Sequence, residues 1–337
     1  MKLRMIHRGV VGTMAIAVLV ATTVGTADPA AAGSGAGLTW KASSSSDAPP
    51  ARGAAAMAFD RAHHQVVLFG GSPGTGHLLR DTWLFSHGEW TQADPATSPP
   101  SRSGHVMAYD AARGKVVLFG GLNHARGFVS DTWIWNGTNW IQRHPDTRPA
   151  PRFGARMVYD PGSRRIILFG GTANEEMFGD TWAWNGFNWK ELSPEASPPA
   201  RSQHGMAYDR ANRQIVLFGG AQGPGGRSDD TWVFDGTTWS EQRTGAHPAE
   251  RTGPAMAFDG QLGQVVLFGG GNDENTDYAD TWTWDGDRWT RRSTDRHPSP
   301  RTHMASAERD GKLMIFGGIR FLLRYLDDTW TLQQTEA

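Results

Sequence analysis

The chain has 337 residues, a formal net charge of −1, 42 glycines, 15 tryptophans and no cysteine. A charge so near zero excludes a bulk nucleic-acid or anionic-membrane footprint. The missing cysteine excludes disulfides, thiolate metal sites and a lipid-modified N-terminal cysteine, so burial and hydrogen bonds alone must hold the fold.

The first element reads as an export signal. Lys2, Arg4 and Arg8 make a basic start, Gly9–Val24 is apolar, and Ala30-Ala31-Ala32 offers a small-residue cleavage site before Gly33. The apolar run is short for a membrane span, and no twin arginine is present. Residues 1–32 are therefore read as a signal peptide of the general secretory route, leaving a secreted chain with no membrane segment. The next stretch, "GLTWKASS" (Gly37–Ser44), places a bulky Trp40 in a small, polar leader.

From Arg52 onward the chain repeats itself about every 50 residues. An arginine opens each unit: Arg52, Arg102, Arg152, Arg201, Arg251 and Arg301. "LFGG" or "IFGG" follows, starting at Leu68, Leu118, Leu168, Leu217, Leu267 and Ile315. "DTW" comes next, starting at Asp81, Asp131, Asp180, Asp230, Asp280 and Asp328. Each unit reads as four strands. "RSGHVMAYD" (Arg102–Asp110) gives the first. "KVVLFGG" (Lys115–Gly121) gives a second whose unbroken apolar run suits burial on both faces. "DTWIW" (Asp131–Trp135) alternates at period two, and "WIQR" (Trp140–Arg143) is the fourth. Asn136-Gly137, Asn185-Gly186, Asp235-Gly236 and Asp285-Gly286 mark tight hairpin turns between strands three and four.

This register explains Trp40. It precedes Arg52 by the interval that separates Trp90 from Arg102 and Trp140 from Arg152. It is a fourth-strand tryptophan without its first three strands, whereas the last unit ends on a third strand at Trp330. The strand around Leu38–Lys41 is thus expected to complete the sixth unit and close a ring. The repeat gives all 15 tryptophans a place, so they are read as packing between units rather than as a sugar platform.

Six four-stranded antiparallel units predict an all-β, six-bladed β-propeller over residues 33–337. Arginine, double glycine, aromatic third strand and tryptophan, at this period, resemble the kelch repeat from Trp40 to Trp330. The propeller domain of galactose oxidase is a relative that the resemblance brings to mind. Its copper centre uses a tyrosine cross-linked to cysteine, which a chain without cysteine cannot form. Tyr109, Tyr159 and Tyr208 share one repeat position with Phe59 and Phe258, which argues for packing. No cofactor and no metal are expected, and the spacing of Asp273, Glu274 and Asp277 matches no standard calcium loop.

Two sets of residues are candidates for ligand contact. Near the channel lie the opening arginines, represented by Arg102 and Arg201, with His105 and His204 three residues later. The arginine ring could bind an anion or a carboxylated sugar. It could instead pair with the "DTW" aspartates or with backbone carbonyls, the reading that sixfold repetition favours. The second set lies in the variable loops after each double glycine: His77, His124, Phe128, Phe178, Tyr278, Arg320 and Tyr325. Variable loops on a rigid scaffold are where recognition resides. The expectation is a monomeric, non-catalytic module for an extracellular glycan or protein. It would bind on the long-loop face and involve no nucleic acid. The alternative is a sugar-isomerising enzyme of the sialate mutarotase type, favoured if Glu or Asp converges with Arg and His at the channel mouth.

Overall fold

The computed structural model describes residues 37–45, 47–223, 226–272, 276–321 and 323–335. The signal segment, Asp273 and Glu274 lie outside these residues. Every regular element among the described residues is a strand. They form six four-stranded antiparallel sheets, two of which lie at Ala56–Ala93 and Val106–Arg143.

In blade two the strands are Val106–Asp110, Lys115–Phe119, Thr132–Trp135 and Trp140–Arg143, paired in that order. The second strand is sealed, with Val116, Val117, Leu118 and Phe119 at most 1 % exposed. Its run of branched and aromatic side chains faces a neighbouring blade on each side. The inner strands pack side by side in a circle, and Ala305–Arg309 of blade six returns to Ala56–Asp60 of blade one.

Blade six is built from both ends of the propeller segment. Leu38–Ser43 pairs antiparallel with Arg324–Gln334, Trp40 lying opposite Leu332. The strand runs two residues further than the sequence pattern predicts.

The motif residues form the seams. Each fourth-strand tryptophan donates its Nε1–H to the "DTW" threonine of the preceding blade at 2.9–3.1 Å. Its ring packs on that blade's "FGG" phenylalanine, with centroids 4.7–5.4 Å apart. Trp40 makes this same contact to Thr281 and Phe268 of blade five. The second glycine of each pair donates its N–H to the carbonyl of the next blade's arginine. A Cβ on the first glycine would lie 2.4–2.9 Å from that carbonyl oxygen, and its left-handed φ of 61–69° further favours glycine.

Candidate functional site

The site is built around the axis. Each inner strand begins four residues after its arginine, later than the sequence pattern predicts. The residue two past each arginine has left-handed φ, including the non-glycines Ala54, Gln203 and His303. Each of these six residues donates its N–H to the carbonyl of its counterpart in the preceding blade, Gly104 to Ala54, Gly154 to Gly104, Gln203 to Gly154, Gly253 to Gln203, His303 to Gly253 and Ala54 to His303, at 2.7–3.1 Å. This ring sits at the long-loop end of the axis.

Inside it lies an axial cavity of about 470 Å³. Its wall is made by inner-strand residues, and its lining runs from Ala55, His105, Pro254 and Met304 beside the hydrogen-bonded ring to Arg61, Ala111, Pro161 and Arg210 at the opposite end. The latter four are exposed, and three of the former four are buried or nearly so. The cavity thus opens on the face of the tight turns, away from the long loops. Each inner strand is the edge of its sheet, so unpaired backbone N–H and C=O groups also face the axis.

Most of the wall follows the repeat: Met57, Met107, Met157, Met206 and Met256 form one tier, and Phe59, Tyr109, Tyr159, Tyr208 and Phe258 another. Blade six breaks both tiers, with Ser306 and Glu308. At the mouth Arg210 of blade four donates to both oxygens of Glu308, at 2.5 and 2.6 Å, and Arg61 of blade one approaches to 3.2 Å. Arg210 passes over the Phe258 ring, 5.5 Å from its centroid, a cation–π contact. Blade three adds Arg156 in a tier where the other blades carry Ala56, Val106, Gly205, Ala255 and Ala305.

The ring arginines are spent inside the scaffold. Each is at most 1 % exposed. Each forks onto its blade's "DTW" aspartate, Nη1 at 2.5–2.7 Å and Nη2 at 2.7–3.0 Å. Nη1 also reaches the first glycine's carbonyl, and the tryptophan of "DTW" donates to the same carboxylate. Burial alone would raise the carboxyls of Asp81, Asp131, Asp230, Asp280 and Asp328. The arginine's hydrogen bonds and charge outweigh it and hold them below the ordinary 3.8. Arg102 and Arg201 therefore belong to this set of six clamps.

His105 and His204 lie between blades, edge-on to Phe69 and Phe169 at 5.5 and 5.6 Å. Among the described residues no group meets hydrogen-bond geometry with a ring nitrogen of either. Burial, reinforced by the neighbouring arginine, pushes His105 down to about 3 and His204 well below 6.5. Both imidazoles are neutral at physiological pH.

The loop candidates divide. Phe178 and Tyr278 stack on the guanidinium groups of Arg152 and Arg251, at 4.1 and 4.2 Å, which extends the clamps. Tyr325 fills the space that a side chain at Gly74 would need. His77, His124 and Arg320 are exposed, and Phe128 is half-buried in the short Leu122–Phe128 hairpin. None of the seven lines the axial cavity. Among the described residues no three His, Asp or Glu side chains gather as metal ligands would.

Sequence reasoning missed Arg61, Arg156, Arg210, Ser306 and Glu308. A signal for three of them was present: aligned on their arginines, the other five units carry only Ala, Val or Gly at the Arg156 position, only Met at the Ser306 position and only Phe or Tyr at the Glu308 position.

The comparisons agree with this architecture. The model for the KLHDC2/KLHL20/DRC7 Kelch-repeats domain matches residues 36–195, 138–262 and 184–336. The chain therefore belongs to the kelch-repeat propellers. It also matches the solved structure of YjhT with a TM-score of 0.66 at 16% sequence identity, covering 86% of this chain and 99% of that one, a likeness of fold. None of the curated proteins matches.

Proposed function

We propose that this protein is a secreted kelch propeller acting as a non-catalytic recognition module, which draws part of an extracellular glycan or protein ligand into its axial cavity from the turn face. Kelch propellers in general are binding and interaction modules. One observation carries the choice of site: the wall breaks its sixfold repeat with Arg156, Ser306 and Glu308. A ligand smaller than the ring cannot use six identical contacts, so unlike residues in one tier are what asymmetric recognition needs.

The enzyme reading draws on the acid that does converge with arginines at the mouth. Against it, both oxygens of Glu308 are held by Arg210, which leaves it poorly placed to take a proton from a substrate. Glycan-array and protein-capture assays on the secreted chain test the proposal. Ala111→Trp, which narrows the mouth, is expected to abolish binding, and His124→Ala on the long-loop face to leave it intact. The reverse pattern would move the site to the long loops. Sugar anomerisation followed by NMR, accelerated by the wild type and slowed by Glu308→Gln, would restore the enzyme.

A further inference from the structure

We infer that Arg156 is the floor of a binding site for a single oxyanion group, a carboxylate, phosphate or sulfate, admitted from the turn face. The inference rests on the axial cavity being the recognition site.

The scaffold does not need this arginine. Five blades do without it, with Ala56, Val106, Gly205, Ala255 and Ala305 in its place. Unlike the six clamp arginines, Arg156 has no carboxylate in ion-pair range among the described residues. Its Nε–H donates to the His204 carbonyl at 2.8 Å. This bond orients the group, Arg156 lines the cavity, and its terminal nitrogens have no hydrogen-bond partner among the described residues. Burial lowers its pKa to about 10, so the guanidinium stays charged at neutral pH and carries a desolvation cost with no counter-charge. Its charge also helps to lower His204 of the next blade and His303 of the opposite blade, the latter to about 4.

The surroundings suit an anion. The lining carries three arginines, Arg61, Arg156 and Arg210, against the single carboxylate of Glu308. His105 is neutral and subtracts nothing. Arg61 and Arg210 already neutralise Glu308 at the mouth, so an incoming anion meets no net repulsion there. Low-dielectric walls concentrate the remaining positive field on the axis. A planar guanidinium with both terminal nitrogens available binds one oxyanion in bidentate fashion, and the channel-facing N–H groups of the inner strands supply further donors.

The test is isothermal titration calorimetry of the full chain with acetate, inorganic phosphate and sulfate at constant ionic strength, paired with thermal unfolding. At least one probe is expected to saturate one site and raise the unfolding midpoint. Acetate alone would name a carboxylate, and phosphate or sulfate a tetrahedral group. Arg156→Met is expected to weaken that binding at least tenfold with no fall in midpoint. If Arg156→Met does not fold, Arg156→Lys keeps the charge without the fork and is expected to weaken binding several-fold. No saturable response to any probe, or unchanged affinity in the variant that folds, overturns the inference. Glycan or protein binding that survives Arg156→Met leaves the recognition reading standing and removes only this one. Saturable anion binding with no glycan or protein ligand does the reverse.

Discussion

The seams between blades and the wall of the axial cavity are made from the same six repeats, yet they treat the repeat differently. At the seams every copy is used alike. Six tryptophans reach back to six threonines and six glycines donate to six carbonyls, while inside the blades six arginines clamp six aspartates. In the cavity two copies depart from the rest, blade three at Arg156 and blade six at Ser306 and Glu308. Each clamp arginine has its carboxylate, whereas Arg156 has none in ion-pair range among the described residues. The difference teaches that identical residues close the ring, and that the departures are where binding can be tuned without loosening it.

The comparison breaks most visibly at the closing strand. Removing Leu38–Ser43 takes Trp40 from Thr281 and Phe268 and bares the edge of Arg324–Gln334. The expected outcome is a fall in midpoint by calorimetry well beyond that of any point variant, with self-association through the bared edge. Trp40→Ala alone is expected to cost ~3–5 kcal/mol, on the order of 10 °C. An unchanged midpoint in either variant would mean that the ring does not depend on this seam.

Next come the clamps. Asp131→Asn preserves shape but removes the charge facing Arg102, leaving a buried, uncompensated guanidinium. Urea unfolding is expected to show a loss of about 3 kcal/mol. Substituting Glu308 by Gln at the half-open mouth is expected to change stability by less than ~1 kcal/mol. Equal losses at the two sites would erase the distinction.

A third effect is graded with pH. His105, His204 and His303 are held neutral well below 6.5 by burial. The unfolded chain therefore binds protons that the folded one refuses, and stability present above pH 6.5 is lost as pH falls towards about 4. The clamp aspartates, depressed below 3.8, contribute their loss only at lower pH. Replacing His105 and His204 by Met, the residue that blade six carries as Met304, is expected to flatten the upper part of this acid limb. Urea midpoints between pH 7 and pH 4 check it, and a limb of unchanged slope counts against the buried imidazoles.

The fold was legible because its determinants recur. Six spaced arginines, glycine pairs and tryptophans announce the blades, and the misplaced Trp40 announces how the ring closes. The site was less legible for the same reason. Attention to variable loops led to His77, His124 and Arg320, which stay in solvent, and to Phe178 and Tyr278, whose contacts are repeat contacts. Which end of the channel opens depends on backbone bonds among Ala54, Gln203 and His303 in left-handed conformation, and three non-glycine residues there give no turn signature. The convergence of Arg210 and Arg61 on Glu308 joins blades four, one and six, and no local pattern encodes it.

The account is tested most directly by comparing two arginine-to-methionine variants, Arg102→Met in a clamp and Arg156→Met in the cavity, in thermal unfolding and in anion titration. It predicts that Arg102→Met lowers the unfolding midpoint by several degrees and, where folded, keeps the anion response, whereas Arg156→Met keeps the midpoint and loses the response. A midpoint that falls equally in both, or an anion response that survives Arg156→Met, would contradict it.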